Sequence, residues 1–201
     1  MDELVRDTES SLTPYYRLDP ENLIRLIEST GLLCDGRLLA LNSYENRVYQ
    51  AGIEAAQPIV IKVYRPGRWD DEQILEEHAF SIELSSADIP LVPPMEINGR
   101  TLHHFDGFRF ALFERRGGHA PELDQKDTRT WLGRFLGRIH AIGASRPFTT
   151  RPGLTIESYG QESIDSLLNG GWLPAHLENA FSSLADDLLV SIKAAYARAG
   201  S

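Results

Sequence analysis

The hydrophobic pattern of this chain changes its period at Gly117-Gly118, and this change constrains the fold more than any other feature. Before the two glycines, short apolar segments separated by turn residues are typical of β-strands. After them, apolar residues recur every three or four positions, which predicts amphipathic helices. The order predicts an α+β chain with a strand-rich part at residues 1–116 and a helical part at residues 117–201.

The strand-rich part is predicted to open with a helix and to continue with three strands and a second helix. Asp19-Pro20 predicts the first helix start, because Asp caps helices and Pro is tolerated in the first turn. Asp70 or Asp71 is expected to cap the second helix, which runs to about Leu84. The predicted strands, each rich in Val, Ile, Leu or Tyr, are Arg37–Asn42, Arg47–Ala51 and Pro58–Tyr64.

Two dipeptides predict an antiparallel meander after the second helix. Asn98-Gly99 and Asp106-Gly107 suit tight turns whose backbone requires a positive φ. The apolar runs that they separate are Met95–Ile97, Thr101–Phe105 and Phe108–Phe113. In the helical part, the predicted helices are Asp127–Ile142 and Leu177–Ala197.

Charge and composition exclude several classes of protein. The chain has 201 residues, of which 29 are acidic and 20 are basic, and its net charge is −9. Nucleic-acid-binding surfaces are usually basic, so that class is disfavoured, whereas an anion such as ATP can still bind through local positive groups. The single cysteine excludes an intramolecular disulfide, and the six histidines lack the spacing of metal ligands. The acidic N-terminus is unlike a signal peptide, and no apolar run approaches the roughly 20 residues of a membrane span, so we expect a cytoplasmic protein that binds no membrane.

Lys62 interrupts the apolar run Ile59–Tyr64 and is the first candidate for chemistry. In a strand it shares a face with Val60. One interpretation is a lysine that faces nucleotide phosphates and is steadied by a carboxylate. The other, which the strand alone favours, is a lysine on the solvent-exposed face of an antiparallel strand. Glu76 and Glu77 are candidate partners, and at most one can face Lys62 well because successive helical residues point roughly 100° apart. The alternative is that both glutamates are solvated.

Two segments that border the predicted strands are candidates for nucleotide contacts. Asn42–Tyr49 contains no glycine, but its Ser and Asn residues can offer N–H and hydroxyl donors to phosphates. Its local sequence favours an ordinary polar turn. Phe110–Gly118 is an apolar strand that runs into a link, and such a link suits a cleft in which backbone groups bond an adenine edge. A strand that simply ends at a loop is the interpretation that its local sequence favours.

Five sequence segments carry a likeness to a known family. They are LNSYENRVYQ (Leu41–Gln50), VIKVYRPGRW (Val60–Trp69), QILEEHAF (Gln73–Phe80), LGRFLGRIH (Leu132–His140) and RPGLTIESY (Arg151–Tyr159). In this order they resemble the stress response kinase A family of bacterial Ser/Thr kinases, within the wider group of aminoglycoside phosphotransferases and choline kinases. The resemblance covers about residues 15–197.

The resemblance implies a bilobal protein-kinase-like fold that binds ATP between an N-lobe, residues 1–116, and a helical C-lobe that begins at residue 117. It implies that Lys62 faces the phosphates and that Glu77 pairs with it, with Glu76 as the alternative. The residues that it implies for covering the phosphates are Ser43, Tyr44, Glu45, Asn46 and Arg47. The residues that it implies for the gatekeeper and hinge are Phe113, Glu114, Arg115 and Arg116. ATP, with magnesium in the parent family, would be the cofactors, and a protein would be the substrate.

The chain departs from the family pattern where catalysis is concerned. Family members continue into His-Gly-Asp-x-His-x-x-x-Asn and then an Asp-containing metal site, and residues 119–201 contain neither. Asp186-Asp187 has no His or Asn at the family's spacing and does not substitute. We therefore expect no catalytic residue and no magnesium ligand here, and an ATP-binding portion that is inactive alone. The alternatives are a truncated pseudokinase that acts as a binding module, and part of a small-molecule kinase of the aminoglycoside or choline type.

The second helical segment carries an apolar stripe formed by Phe181, Leu184, Leu188 and Ile192. In a complete two-lobed kinase, later segments would cover it. Monomeric proteins rarely expose apolar patches larger than a few hundred Å², so we expect self-association through these helices. The alternative is that the stripe packs within the chain against Leu132, Leu136 and Ile139.

Overall fold

The computed structural model describes residues 15–118 and 120–199. Its helices and strands follow the predicted order except at Met95–Ile97, and a π-helical turn at Glu157–Gln161 and a helix at Glu162–Asn169 add to it. In chain order, the elements are α1 (Pro20–Glu28), β1 (Cys34–Leu41), β2 (Arg47–Ile53), β3 (Ile59–Val63), α2 (Asp71–Ser86), β4 (His103–Phe105), β5 (Phe108–Glu114), α3 (Lys126–Gly143), α4 (Glu162–Asn169) and α5 (Ala175–Ala199).

The strands form one five-stranded antiparallel sheet in the order β1-β2-β3-β5-β4. Both predicted turns have the required backbone: φ is 54° at Asn98 and 72° at Gly99, and 48° at Asp106 and 81° at Gly107. Asn and Asp tolerate the left-handed region better than most residues, and Gly adopts it without a steric penalty. These residues therefore fix where the chain reverses.

The strand predicted at Met95–Ile97 is wrong, because this segment makes only isolated bridges. Pro94 pairs with Phe113, and the N–H of Met95 donates to the carbonyl of Leu112 at 2.7 Å. The two prolines that precede Met95 lack the N–H that a longer ladder needs. The segment therefore touches the edge of β5 without extending the sheet.

The main core lies between α1 and one face of the sheet. Leu23, Leu26 and Ile27 have the spacing of one helical face and are at most 1% exposed. The Asp19 side chain accepts from the N–H of Asn22 and caps this helix as predicted. The sheet residues in the same buried cluster include Ile61, Val63, Phe110 and Leu112. Burial of such side chains contributes about 1.5–3 kcal/mol each and holds the sheet against α1.

The opposite face of the sheet meets α2. Asp70 and Gln73 form a capping box at the start of this helix, so Asp70 is the cap rather than Asp71. A second buried cluster joins Ile74 of α2 to sheet-side residues Tyr64, Leu102 and Ala111. Because strand residues alternate between faces, this arrangement places Lys62 on the side of the sheet that faces α2.

The chain divides into two compact units, of which the first ends at Thr150 and the second begins at Arg151. The division into lobes at residues 116 and 117 stays a prediction. In the second unit, Ala185 and Leu189 of α5 are buried, whereas Leu184, Leu188 and Ile192 are exposed. Within residues 15–118 and 120–199, no helix has both the length and the apolar character of a membrane span.

Candidate functional site

Lys62 and Glu77 form an ion pair between β3 and α2. Lys62 lies between Val48 of β2 and Ala111 of β5 in the sheet register. Its Nζ donates to Glu77 Oε1 at 2.8 Å, and the two side chains are 21% and 33% exposed. Partial burial strengthens such a charge-assisted hydrogen bond relative to a surface pair. The pair therefore holds an ammonium group at a defined point on the sheet face that α2 partly covers.

Glu76, the other candidate partner of Lys62, points elsewhere. Its carboxylate accepts hydrogen bonds from the backbone N–H and the hydroxyl of both Thr149 and Thr150. Since consecutive helical side chains differ in direction by roughly 100°, one glutamate can meet β3 and the other cannot. The structure thus separates two residues that the sequence places side by side.

A buried hydrogen-bond chain supports the helix next to this ion pair. The Tyr64 hydroxyl and His78 Nε2 are 2.6 Å apart, and His78 Nδ1 lies 2.9 Å from the Thr101 hydroxyl oxygen. His78 is only 2% exposed. Lys62 Nζ also lies 4.7 Å from the centre of the Tyr64 ring, a cation–π distance. These hydrogen bonds connect the residue that follows β3, helix α2 and the segment before β4.

The second half of the glycine-free loop between β1 and β2 is fixed by hydrogen bonds to Glu45 and Asn46. Glu45 accepts from Arg68 Nε at 3.1 Å and from Trp69 Nε1 at 3.0 Å, and Asn46 Oδ1 accepts from the Arg65 N–H at 3.2 Å. Among the residues expected to cover the phosphates, Glu45 therefore holds the loop in place. Ser43 and Tyr44 are exposed and leave their donors at the surface.

Tyr15 anchors the same loop from the N-terminal side. Its hydroxyl donates to the carbonyl of Glu45 at 2.9 Å, and the Arg47 guanidinium lies 4.7 Å from the centre of its ring. Burial raises the pKa of the Tyr15 hydroxyl to about 12, so the group remains a hydrogen-bond donor throughout the neutral range. The loop is thus held on both sides although it lacks glycine.

The residues expected to form the gatekeeper and hinge lie at the end of β5. Phe113 is half-buried beside Val60, and Glu114 is the register partner of Ile59. Beyond the strand, Arg116 forms an exposed ion pair with Glu114, and Arg115 is exposed. The backbone of Arg115 and Arg116 continues past the sheet without joining a ladder.

Two rows of cross-strand neighbours share the sheet face that carries Lys62. The rows are Gln50–Val60–Phe113 and Val48–Lys62–Ala111. The first row is largely apolar and only partly covered, and the second row has the fixed cation at its centre. This face therefore offers an apolar surface beside one positive charge. For magnesium, the described residues offer no group of three or more His, Cys, Asp or Glu side chains.

Two contributors to the site were missed by sequence reasoning. Arg68 and Trp69 lie within one of the segments that carry the family resemblance. Their contact with the Glu45 carboxylate is visible only in the folded structure. The contact of Glu76 with Thr149 and Thr150 spans 73 and 74 residues, and no local pattern signals it.

Comparison with known proteins identifies the family of this sequence. The sequence model of the phosphotransferase enzyme family matches residues 37–189. Serine/threonine protein kinase RdoA of Salmonella typhimurium (strain LT2) is 38% identical over 178 residues, which cover 89% of this chain and 54% of that protein. Stress response kinase A of Escherichia coli (strain K12) is 36% identical over 185 residues, which cover 92% and 56%. The predicted resemblance is confirmed, and the chain spans about half the length of these curated relatives.

Solved structures confirm the predicted fold class. The amicoumacin kinase hAmiN, in complex with AMP-PNP, Ca2+ and Ami, superposes with a TM-score of 0.66 at 17% identity, over 84% of this chain and 53% of that one. A microcompartment-associated aminopropanol kinase gives a TM-score of 0.57 at 19% identity, over 73% and 54%. At this level of identity, the likeness establishes a kinase-like α+β fold.

Proposed function

Because the chain belongs to the phosphotransferase enzyme family, we propose that it is the ATP-binding portion of a bacterial Ser/Thr protein kinase. One observation carries the proposal: the half-buried pair of Lys62 and Glu77 lies beside an apolar row on the sheet face that α2 partly covers. A solvated surface lysine has no need of a carboxylate at 2.8 Å, whereas a phosphate-binding lysine benefits from being held in one position.

In this proposal each predicted residue has a separate task. Lys62 contacts the nucleotide phosphates, and Glu77 orients its ammonium group. Backbone N–H groups and hydroxyls of Ser43–Arg47 cover the phosphates, while Glu45 holds that loop through Arg68. The backbone of 113–116 contacts the adenine edge, and Val60 with Phe113 supports the base. Protein Ser or Thr as the acceptor rests on the names of the relatives at 36–38% identity.

We propose that phosphoryl transfer needs residues in the part of the relatives that this chain does not match. The curated relatives are about twice as long as the segment that this chain matches. The His-Gly-Asp motif of the family, which supplies the base, is missing from residues 119–201. ATP supplies the γ-phosphoryl group when bound, and residues of this chain bind and orient it.

Alanine substitution of Lys62 is the direct test. We expect Lys62→Ala to weaken binding of ATP or ADP by about tenfold or more, because a charge-assisted contact to phosphate is lost. Glu77→Ala is expected to weaken binding more than Glu76→Ala does, since the Glu77 carboxylate accepts from the lysine whereas Glu76 accepts from Thr149 and Thr150. Isothermal titration calorimetry on the purified chain measures all three.

Lys126→Ala is the matched control, because Lys126 is an exposed lysine at the start of α3. It removes one positive charge and should leave nucleotide affinity unchanged. Equal affinities of wild type, Lys62→Ala and Lys126→Ala would sink the assignment of Lys62. A loss of affinity in Glu77→Ala no larger than that in Lys126→Ala would remove Glu77 from the site.

We extend the proposal to one partner, a second copy of the chain. Leu184, Leu188 and Ile192 of α5 are 58%, 52% and 41% exposed, and this exposure supports association through the helix. Light scattering over a concentration series is expected to give a mass that rises above 22.5 kDa. The double variant Leu184→Gln/Leu188→Gln should shift the rise to higher concentration. A wild-type mass constant at that of one chain would contradict association.

A further inference from the structure

One face of α2 is contacted along its whole length by residues 138–150, a segment that we name the clasp. The contacting positions on the helix recur at intervals of three and four residues, which is the period of a single helical face. They are Gln73, Glu76, Phe80, Glu83 and the carbonyl of Ala87.

Glu76 lies at the most densely bonded point of this face. Both oxygens of its carboxylate are used: one accepts from the N–H and hydroxyl of Thr149, and the other from the N–H and hydroxyl of Thr150. The four distances lie between 2.5 and 3.0 Å. Four protein donors occupy about as many lone-pair sites as one carboxylate offers.

The remaining contacts extend the clasp in both directions from Glu76. Towards the start of the helix, Gln73 Nε2 donates to the Thr150 carbonyl at 3.2 Å. Towards its end, Phe80 packs edge-on against Phe148 with ring centres 5.2 Å apart, and Arg146 pairs with Glu83 at 2.9 Å. Beyond it, Arg138 donates to the Ala87 carbonyl at 2.7 Å.

The opposite face of α2 is the one that meets the sheet. There Ile74 and His78 are buried, and Glu77 reaches Lys62. Helix α2 is therefore contacted on two sides. Glu76 binds the clasp, and its neighbour Glu77 binds Lys62 on the sheet. A small rotation of the helix that releases Glu76 also moves Glu77 away from Lys62, because both side chains project from the same turn.

We propose that Glu76 is a positioning residue for the nucleotide site: by binding Thr149 and Thr150 it sets the rotation of α2 and so keeps Glu77 on Lys62. The inference rests on the proposed role of Lys62 in nucleotide binding. Glu76 itself does not touch the nucleotide. Its effect on binding passes through Glu77.

Glu76→Gln is the decisive substitution, since it keeps the size of the side chain. The amide replaces one accepting oxygen with an NH₂ group that faces two donors, so two of the four hydrogen bonds to Thr149 and Thr150 are lost. Glu72→Gln is the matched control, because Glu72 lies on the same helix, one turn earlier, and is exposed. Circular dichroism confirms that each variant is folded.

The first readout needs no nucleotide. The chain has three lysines, Lys62, Lys126 and Lys193, so mass spectrometry after brief treatment with an amine-acylating reagent reports each one separately. We expect acylation of Lys62 to be about five- to tenfold faster in Glu76→Gln than in wild type, because the ammonium spends more time away from Glu77. Lys126 and Lys193 should react at unchanged rates, and Glu72→Gln should match wild type at all three lysines.

The second readout is the affinity for AMP-PNP, which we expect to fall about three- to tenfold in Glu76→Gln and to stay constant in Glu72→Gln. If wild type fails to bind AMP-PNP, the proposed function falls, while the acylation rates still decide the role of Glu76. An unchanged Lys62 acylation rate in folded Glu76→Gln overturns the inference. If that variant does not fold, Thr149→Val/Thr150→Val, which removes only the two hydroxyl donors, is judged by the same criterion.

Discussion

Replacement of Phe110 by alanine is expected to lower the free energy of unfolding by about 3–5 kcal/mol. Phe110 is 0% exposed at the centre of the cluster that joins α1 to the sheet, and its ring also lies 5.4 Å from that of His103. Its removal loses the transfer free energy of a full aromatic side chain and leaves a cavity that the rigid sheet cannot close. Chemical denaturation followed by circular dichroism measures the loss.

Phe105→Ala provides the matched control on the neighbouring strand. Phe105 is 39% exposed at the edge strand β4, so truncation there should cost less than about 1 kcal/mol. Losses of similar size for the two variants would show that Phe110 does not have the central place assigned to it. A loss of nucleotide affinity in Phe110→Ala at temperatures where it is folded would indicate that the core also shapes the site.

A second large effect is expected in a transfer assay: the chain of residues 1–201 should move no γ-phosphate from ATP to itself or to a generic protein substrate. Phosphoryl transfer requires a lysine, metal ions and a base to act together. A general base alone contributes about 10²–10⁴-fold, and the sequence contains no His-Gly-Asp motif to supply it. Transfer of labelled γ-phosphate, followed by gel autoradiography, measures the rate.

Lys62→Ala sets the background of this assay, and stress response kinase A of Escherichia coli serves as a longer relative assayed in parallel. Label transfer by the wild-type chain above the Lys62→Ala background would contradict the prediction. Such a result would mean that residues of this chain supply a base that no family motif identifies.

The fold could be predicted largely from turn chemistry and from the change of hydrophobic period. Asn98-Gly99 and Asp106-Gly107 fix their own backbone conformation, so the reversals on either side of β4 follow from the residues themselves. How far each strand pairs could not be predicted in the same way. Met95–Ile97 makes only isolated bridges, because pairing depends on how the segment meets the edge of β5. The π-helical turn at Glu157–Gln161 also gave no signal in the sequence.

The candidate site shows where sequence reasoning ends. The alternation of a strand places Lys62 on one face, but it cannot say what lies over that face. The choice between Glu76 and Glu77 came from family resemblance, since the two are adjacent residues of the same type in one predicted helix. The structure pairs Glu77 with Lys62 and gives Glu76 to Thr149 and Thr150, contacts between residues more than 70 positions apart. Their function in binding nucleotide stays a prediction.

The tethered loop between β1 and β2 has a thermodynamic consequence for any ligand beneath it. A glycine-rich loop retains much backbone entropy and must surrender it when a ligand arrives. Here Tyr15, Arg68 and Trp69 hold the second half of the loop through Glu45 before anything binds. The ordering cost is met during folding, so association under this loop should carry a small entropy penalty.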